Sequence, residues 1–251
     1  MFSKEELEKI NNYFSDLSGG CGLMLSFIIV GIILIINDSI GIGSTLILIG
    51  IIIAFFASNK SISDEEFDAL VQKAINELKK DALNKTSIDE SELVGKQLVI
   101  TGPRFFGGGG AEFKYKKGND NLARYTPIDV FIINLTENQI ITYRTSLNML
   151  SGKNLNTNTD EYFYKDVVSI STKTIFRTYK IEDKKLAKEL GGKNIELNEA
   201  ETFSLTTSGG TSVEIILRDP KLTKLMGEIP TIQSEKTIQS VRKMLRDKKT
   251  N

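Results

Sequence analysis

The first ninety or so residues alternate between two textures. Leu7, Ile10, Phe14 and Leu17 recur at three- and four-residue steps behind a capping box at Ser3–Glu6, which predicts a short amphipathic helix in residues 1–20, stopped by Gly19-Gly20. Cys21 to Ala57 then carries one acidic residue, Asp38, and no basic one. As a single helix this run would extend about 55 Å, well past a hydrocarbon core of about 30 Å, so it must turn. Asn37-Asp38-Ser39 bonds locally in preference to helix and divides the run into Cys21–Ile36 and Ile40–Ala57. The composition predicts a transmembrane helical hairpin over 21–57, with Leu23, Phe27, Ile32, Leu46, Ile51 and Phe55 among its membrane-anchoring residues. Gly22 with Ser26, and Gly50 with Ala54, offer small-residue spacings at which helices approach closely.

A second capping box, Ser63–Glu66, opens a stronger helix whose stripe is Phe67, Leu70, Val71, Ala74, Ile75 and Leu78. Residues 58–92 read as a helical stalk or linker. Past Leu93 the pattern changes to β-branched and aromatic runs separated by turn residues, which predicts antiparallel sheet. The predicted strands are Gln97–Thr101, Ala111–Lys117, Ile128–Asn134, Gln139–Arg144, Val167–Lys173, Thr174–Lys180, Thr202–Thr207 and Ser212–Arg218. A helix at Glu182–Leu190 falls in an insertion around residues 178–202, and a closing helix at Glu235–Lys248 sets Ile238, Val241 and Leu245 on one face. The expected fold class is an α+β membrane protein. It comprises an N-terminal two-helix transmembrane hairpin, a helical stalk, and a curved sheet or barrel over 93–251 closed by the C-terminal helix.

Charge and composition narrow the chemistry. Lysine plus arginine and aspartate plus glutamate balance at 32 each, so no overall field favours nucleic acid. The chain has no histidine and one cysteine, Cys21, which removes Cys/His zinc sites, histidine-based triads and imidazole acid–base catalysis. No cofactor or metal site is expected. Lys4, Lys9, Lys60, Lys73, Lys79 and Lys80 flank the hairpin, and its turn carries no basic residue. By the positive-inside rule this predicts a multi-pass protein of the inner (plasma) membrane with both termini cytoplasmic.

Several segments of the distal region share a pattern. Leu135-Thr136-Glu137-Asn138-Gln139-Ile140-Ile141-Thr142-Tyr143 resembles a hairpin of bacterial pleckstrin-homology-like and GRAM-like domains. Tyr164-Lys165-Asp166-Val167-Val168-Ser169-Ile170 resembles a later strand, Phe203–Leu217 the glycine-turn hairpin and Ile238–Leu245 the terminal helix of those domains, so the likeness spans roughly Leu98–Lys248. Similar bacterial domains often sit beside transmembrane helices, so the resemblance implies the architecture rather than a particular activity.

The candidate partner- or ligand-binding residues are Arg104, Phe105, Phe106, Gly107, Gly108, Lys114 and Lys116. A glycine run presents backbone amides, and the preceding cation and aromatics suit a partner surface. No lysine followed by serine or threonine closes the run as in a phosphate-binding loop. The expected function is a membrane-anchored, non-enzymatic binding or scaffold protein. Its expected partners are the lipid bilayer and a protein or further copies of itself, with a small-molecule ligand as a further possibility. The alternative is a ligand-sensing effector whose oligomerised hairpins perturb the bilayer.

Overall fold

The computed structural model describes the backbone except at residues 16, 17, 38, 59–61, 106–110, 181–186, 189, 190, 193, 250 and 251. It describes side chains except at those positions and at 18–24, 40, 53–58, 177, 179, 180, 194–198, 232, 233 and 249. The chain divides into two compact units, Phe2–Leu70 and Val71–Asn251, the latter with Met1.

In the first unit α1 (Lys4–Phe14) starts at Ser3, whose hydroxyl accepts from the Glu6 amide while the Glu6 carboxylate accepts from the Ser3 amide. Its apolar stripe is buried at Ile10 and Tyr13. Tyr13 stacks on Phe67 with ring centres 4.7 Å apart, and its hydroxyl donates to Asp64 at 2.6 Å, so α1 lies against the start of α4 (Asp64–Thr86). Helices α2 (Ser18–Ile36) and α3 (Ile40–Ser58) meet at the turn that the polar triplet marks. They approach closely at Gly31 and Gly43; of the small-residue pairs of the sequence, the side chain of Ala54 and position 22 lie outside the described residues. A Cβ on Gly31 would stand 2.7 Å from the Gly43 carbonyl oxygen, and one on Gly43 would stand 2.5 Å from that of Gly31.

The transmembrane expectation does not hold. Among the described residues no helix is long and apolar enough to cross a membrane. The membrane-protein fold class and the multi-pass inner-membrane location fall with it, as does the anchoring role given to Leu23, Phe27, Ile32, Leu46, Ile51 and Phe55. Of these, Ile32 and Ile51 are 46% and 55% exposed, Phe27 and Leu46 are half-buried, and the side chains of Leu23 and Phe55 lie outside the described residues.

The second unit is α+β, with three antiparallel sheets in place of one curved sheet or barrel. The four-stranded sheet has the order β1 (Leu98–Pro103), β4 (Ile128–Leu135), β5 (Gln139–Asn148), β6 (Lys153–Phe163). A two-stranded ribbon, β2 (Lys114–Lys117) with β3 (Ala123–Thr126), is inserted between β1 and β4. The third sheet runs β7 (Val167–Lys180), β8 (Asn194–Thr207), β9 (Ser212–Arg218). A 3-10 turn at Tyr164–Asp166 separates β6 from β7, and there the chain leaves one sheet for the next. β7 is one strand where the sequence suggested two. The helix expected at Glu182–Leu190 lies largely outside the described residues.

Both larger sheets contribute to a single core, in which Phe131, Ile133 and Ile140 meet Phe203, Leu205 and Ile215. The sheets touch closely where β1 passes β9, because a Cβ on Gly102 would stand 1.9 Å from the Ile216 carbonyl oxygen. Asp219 caps α5 (Pro220–Met226) by accepting from the amides of Lys221 and Leu222 at 2.9 and 3.1 Å, and Pro220 takes the first helical position. The closing helix α6 (Ile232–Lys249) buries Ile238 and Val241 in the core, and its Thr237 hydroxyl donates to the Val99 carbonyl at 3.1 Å. Along α4, Ala74, Ile75, Leu78 and Ala82 are buried, and Gln97 donates to both the Lys79 carbonyl and Asn134 at 3.0 Å.

Tyr162 and Tyr164 sit in this core, and burial pushes each phenol up to about 12, with Asp160 adding to the effect at Tyr162. The folded state thus favours the neutral phenol: its contribution is whole below the ordinary tyrosine value of about 10 and is lost as pH rises toward 12. Between those limits, tyrosinate absorbance and the loss of β-sheet circular dichroism are expected to rise together. Tyrosinate formed with the sheet signal intact would contradict the burial.

Candidate functional site

Arg104 follows β1 directly, and the structure turns it inward. Its guanidinium donates to Ser146 and stands 3.4 Å from the Asp129 carboxylate, which also accepts from Ser146 and faces Arg144 at 3.8 Å. Asp129 is buried on β4 and Ser146 lies beside it on β5, since the register places those two residues opposite one another. This cluster holds charge between strands and presents little of it outward. Phe105 is 1% exposed and packs on Phe113 at 5.3 Å, so it belongs to the interior. Phe106, Gly107 and Gly108 lie outside the described residues.

The remaining predicted cations sit on the two-stranded ribbon. Its register sets Lys116 opposite Arg124 and Lys114 opposite Thr126, which gathers basic residues as the sequence suggested. Their charge is largely committed. Arg124 is buried and donates twice to Asp120, at 2.7 and 2.8 Å, and this guanidinium holds the Asp120 carboxyl well below the usual carboxylate range. Lys114 pairs with Glu112 at 3.4 Å. The structure therefore separates the predicted set into an interior cluster around Arg104 and a ribbon bearing Lys114 and Lys116.

The open concave feature lies elsewhere in the same unit. Beyond Phe203 and Leu205, one face of β7 and β8 continues past the core as Thr172, Thr174, Phe176, Glu199 and Glu201. With Arg218 and the α5 side, including Pro220, Thr223 and Lys224, these residues enclose a groove of about 840 Å³. An ion pair lies in its lining, where Arg218 donates to Glu201 at 2.6 Å. Phe176 stands at the groove with 78% of its surface exposed. The β7–β8 register explains its position, because Ile175 faces Ala200 while Arg177 faces Leu197, so two β8 residues oppose Phe176 alone. Such a bulge increases local twist and re-aims side chains.

Reading the strands as candidate core elements missed this groove. The available signal was Phe176 itself, an aromatic at the alternation of Thr172, Thr174 and Thr178. The α5 side carried almost none, since Pro220 reads equally well as the end of β9. Among the described residues no group of three or more metal-ligating side chains comes together.

No protein-family model matches the chain, and neither curated proteins nor solved structures give a match. The reading of this unit therefore rests on its own geometry.

Proposed function

We propose that the chain is a non-enzymatic binding protein that takes up a segment of a protein partner in the groove between β7–β8 and α5. The observation that carries this reading is Phe176, a large apolar side chain held in the open beside a concave surface of about 840 Å³. Exposed aromatics bordering a pocket supply much of the energy at protein interfaces, and Arg218, Glu201 and Lys224 supply polar contacts around it. A sequence with no histidine to serve as a base supports binding over catalysis. The binding surface proposed here replaces the Arg104–Phe106 segment, whose described side chains turn inward.

The test is a pull-down and titration with the full chain as bait, comparing Phe176→Ala with Phe163→Ala. Phe163 is also exposed, at 50%, but lies on β6 away from the groove lining. Phe176→Ala is expected to weaken capture by about thirtyfold, corresponding to about 2 kcal/mol. Phe163→Ala should leave capture unchanged. Equal capture by both variants and the parent chain would remove the groove from the interface.

A further inference from the structure

β7 is the edge strand of its sheet, paired with β8 on one side only among the described residues. An antiparallel strand directs alternate amides and carbonyls to either side, so a strand of this length offers a row of backbone partners along its free edge. Two large apolar side chains on it are exposed, Val168 at 56% and Phe176 at 78%. Both fall at irregularities of the ladder: Val167 faces Thr207 and Ser169 faces Thr206, leaving Val168 unmatched, and Phe176 opposes the β8 bulge.

The spacing is self-complementary. Val168 and Phe176 lie equally far, in opposite directions, from Thr172, which is itself exposed and accepts a hydrogen bond from Arg242 at 3.2 Å. We infer that β7 pairs antiparallel with β7 of a second copy about a two-fold axis at Thr172. Val168 then meets Phe176 of the other copy, an aromatic with β-branched pair of the kind that stabilises neighbouring strands. Ile170 meets Thr174, and Lys173 meets Ser171. Charge selects this register. An axis moved one residue to Lys173 would set two lysines face to face, which is unfavourable between paired strands. An axis moved to Ser171 would leave Phe176 opposite Asp166, outside the strand. A second copy is thus an occupant that satisfies both exposed apolar side chains, avoids like charges and uses the free edge at once. This inference concerns the strand edge and shares Phe176 with the groove reading, so a second copy and a groove partner compete for that side chain, and the position of cross-linking reads the edge alone.

The experiment uses the full chain with Cys21→Ser, so that an introduced cysteine is the only one. At the axis, the Cα atoms of Thr172 in the two copies lie about 4.5–5.5 Å apart, within the span of a disulfide, whereas two Thr174 residues stand roughly 13 Å apart. Under mild oxidation Thr172→Cys is expected to form a covalent dimer at least about tenfold faster than Thr174→Cys. Position is the readout because the exposed apolar residues of α2 and α3 can bring chains together by themselves, and mass alone would not separate the two causes. Charge gives an independent readout in sedimentation. Ser171→Lys faces Lys173 twice in the dimer and should weaken association by about tenfold, while Ser171→Glu should strengthen it. Strengthening cannot arise from a misfolded variant. Equal cross-linking at 172 and 174, or changes of the same sign from S171K and S171E, would overturn the pairing. A lost groove partner with intact cross-linking would count against the groove alone.

Discussion

Adding one methyl group to Gly102 is expected to be among the most damaging small changes in the chain. The added Cβ would lie 1.9 Å from the Ile216 carbonyl oxygen and 3.3 Å from the Ile215 side chain, and backbone cannot rotate out of the way as a side chain can. Either β1 slides along its ladder with β4, which spans Leu98–Ile133 to Pro103–Ile128, or β9 moves out of its ladder with β8. Both routes also disturb α6, whose Thr237 bonds the β1 backbone. Gly102→Ala should therefore cost about 3 kcal/mol, near the upper end for overpacking, and lower the unfolding midpoint by roughly 6–12 °C for a unit of this size. Gly192 is the control, since a Cβ there meets nothing within 4 Å. Thermal unfolding followed by the β-sheet signal reads the difference, and equal midpoints for the two alanine variants would mean that β1 and β9 are not in contact at Gly102.

Removing the carboxylate of Asp129 should cost as much or more. Asp129 is 6% exposed and bridges Arg104, Arg144 and Ser146. Breaking a buried ion pair from one side leaves the other charge in a medium that solvates it poorly, at a cost of about 3–5 kcal/mol. Asp129→Ala imposes this on Arg104; Arg144, partly open to water, is less affected. The asymmetry is the diagnostic feature. Arg104→Met combined with Asp129→Leu removes both principal charges while keeping volume, and should recover a large part of the loss. Urea unfolding of the two single variants and the double variant gives the coupling. Additive losses would show that Arg104 and Asp129 do not act as a pair and would reopen Arg104 as a surface residue.

The capping boxes at Ser3 and Ser63, the turn at Asn37–Ser39, the hairpins around Glu137-Asn138 and Gly209-Gly210, and the burial of Ile238 and Val241 all follow from local pattern. Each depends on residues a few positions apart, so periodicity and turn chemistry suffice. The strand β6 was harder because its polar run Asn156–Asp160 has no apolar alternation to announce it. It is ordered by pairing with β5, and a bulge there takes Asn156 to a φ of 52°. The ribbon strand β3, Ala123–Thr126, is likewise too short to declare itself.

The candidate site was less legible for a different reason. Arg104, Phe105 and the following glycines looked like an exposed tip because cation, aromatics and glycine adjoin in the sequence, but the partners that turn Arg104 inward lie 25 and 42 positions away. Phe176 and Lys224 line one groove from separate elements, and only the fold brings them together.

By itself the sequence determined the helical hairpin's turn, the shift from helix to antiparallel sheet past Leu93, and the absence of imidazole chemistry, because these rest on composition and short-range periodicity. Tertiary structure alone decided that the strands divide among three sheets, that Arg104 is an interior cation and that Phe176 remains outside. Those outcomes depend on contacts between distant segments. Whether a charge or a ring is buried is set by which strand arrives beside it, and a residue's own neighbours in the chain do not carry that information.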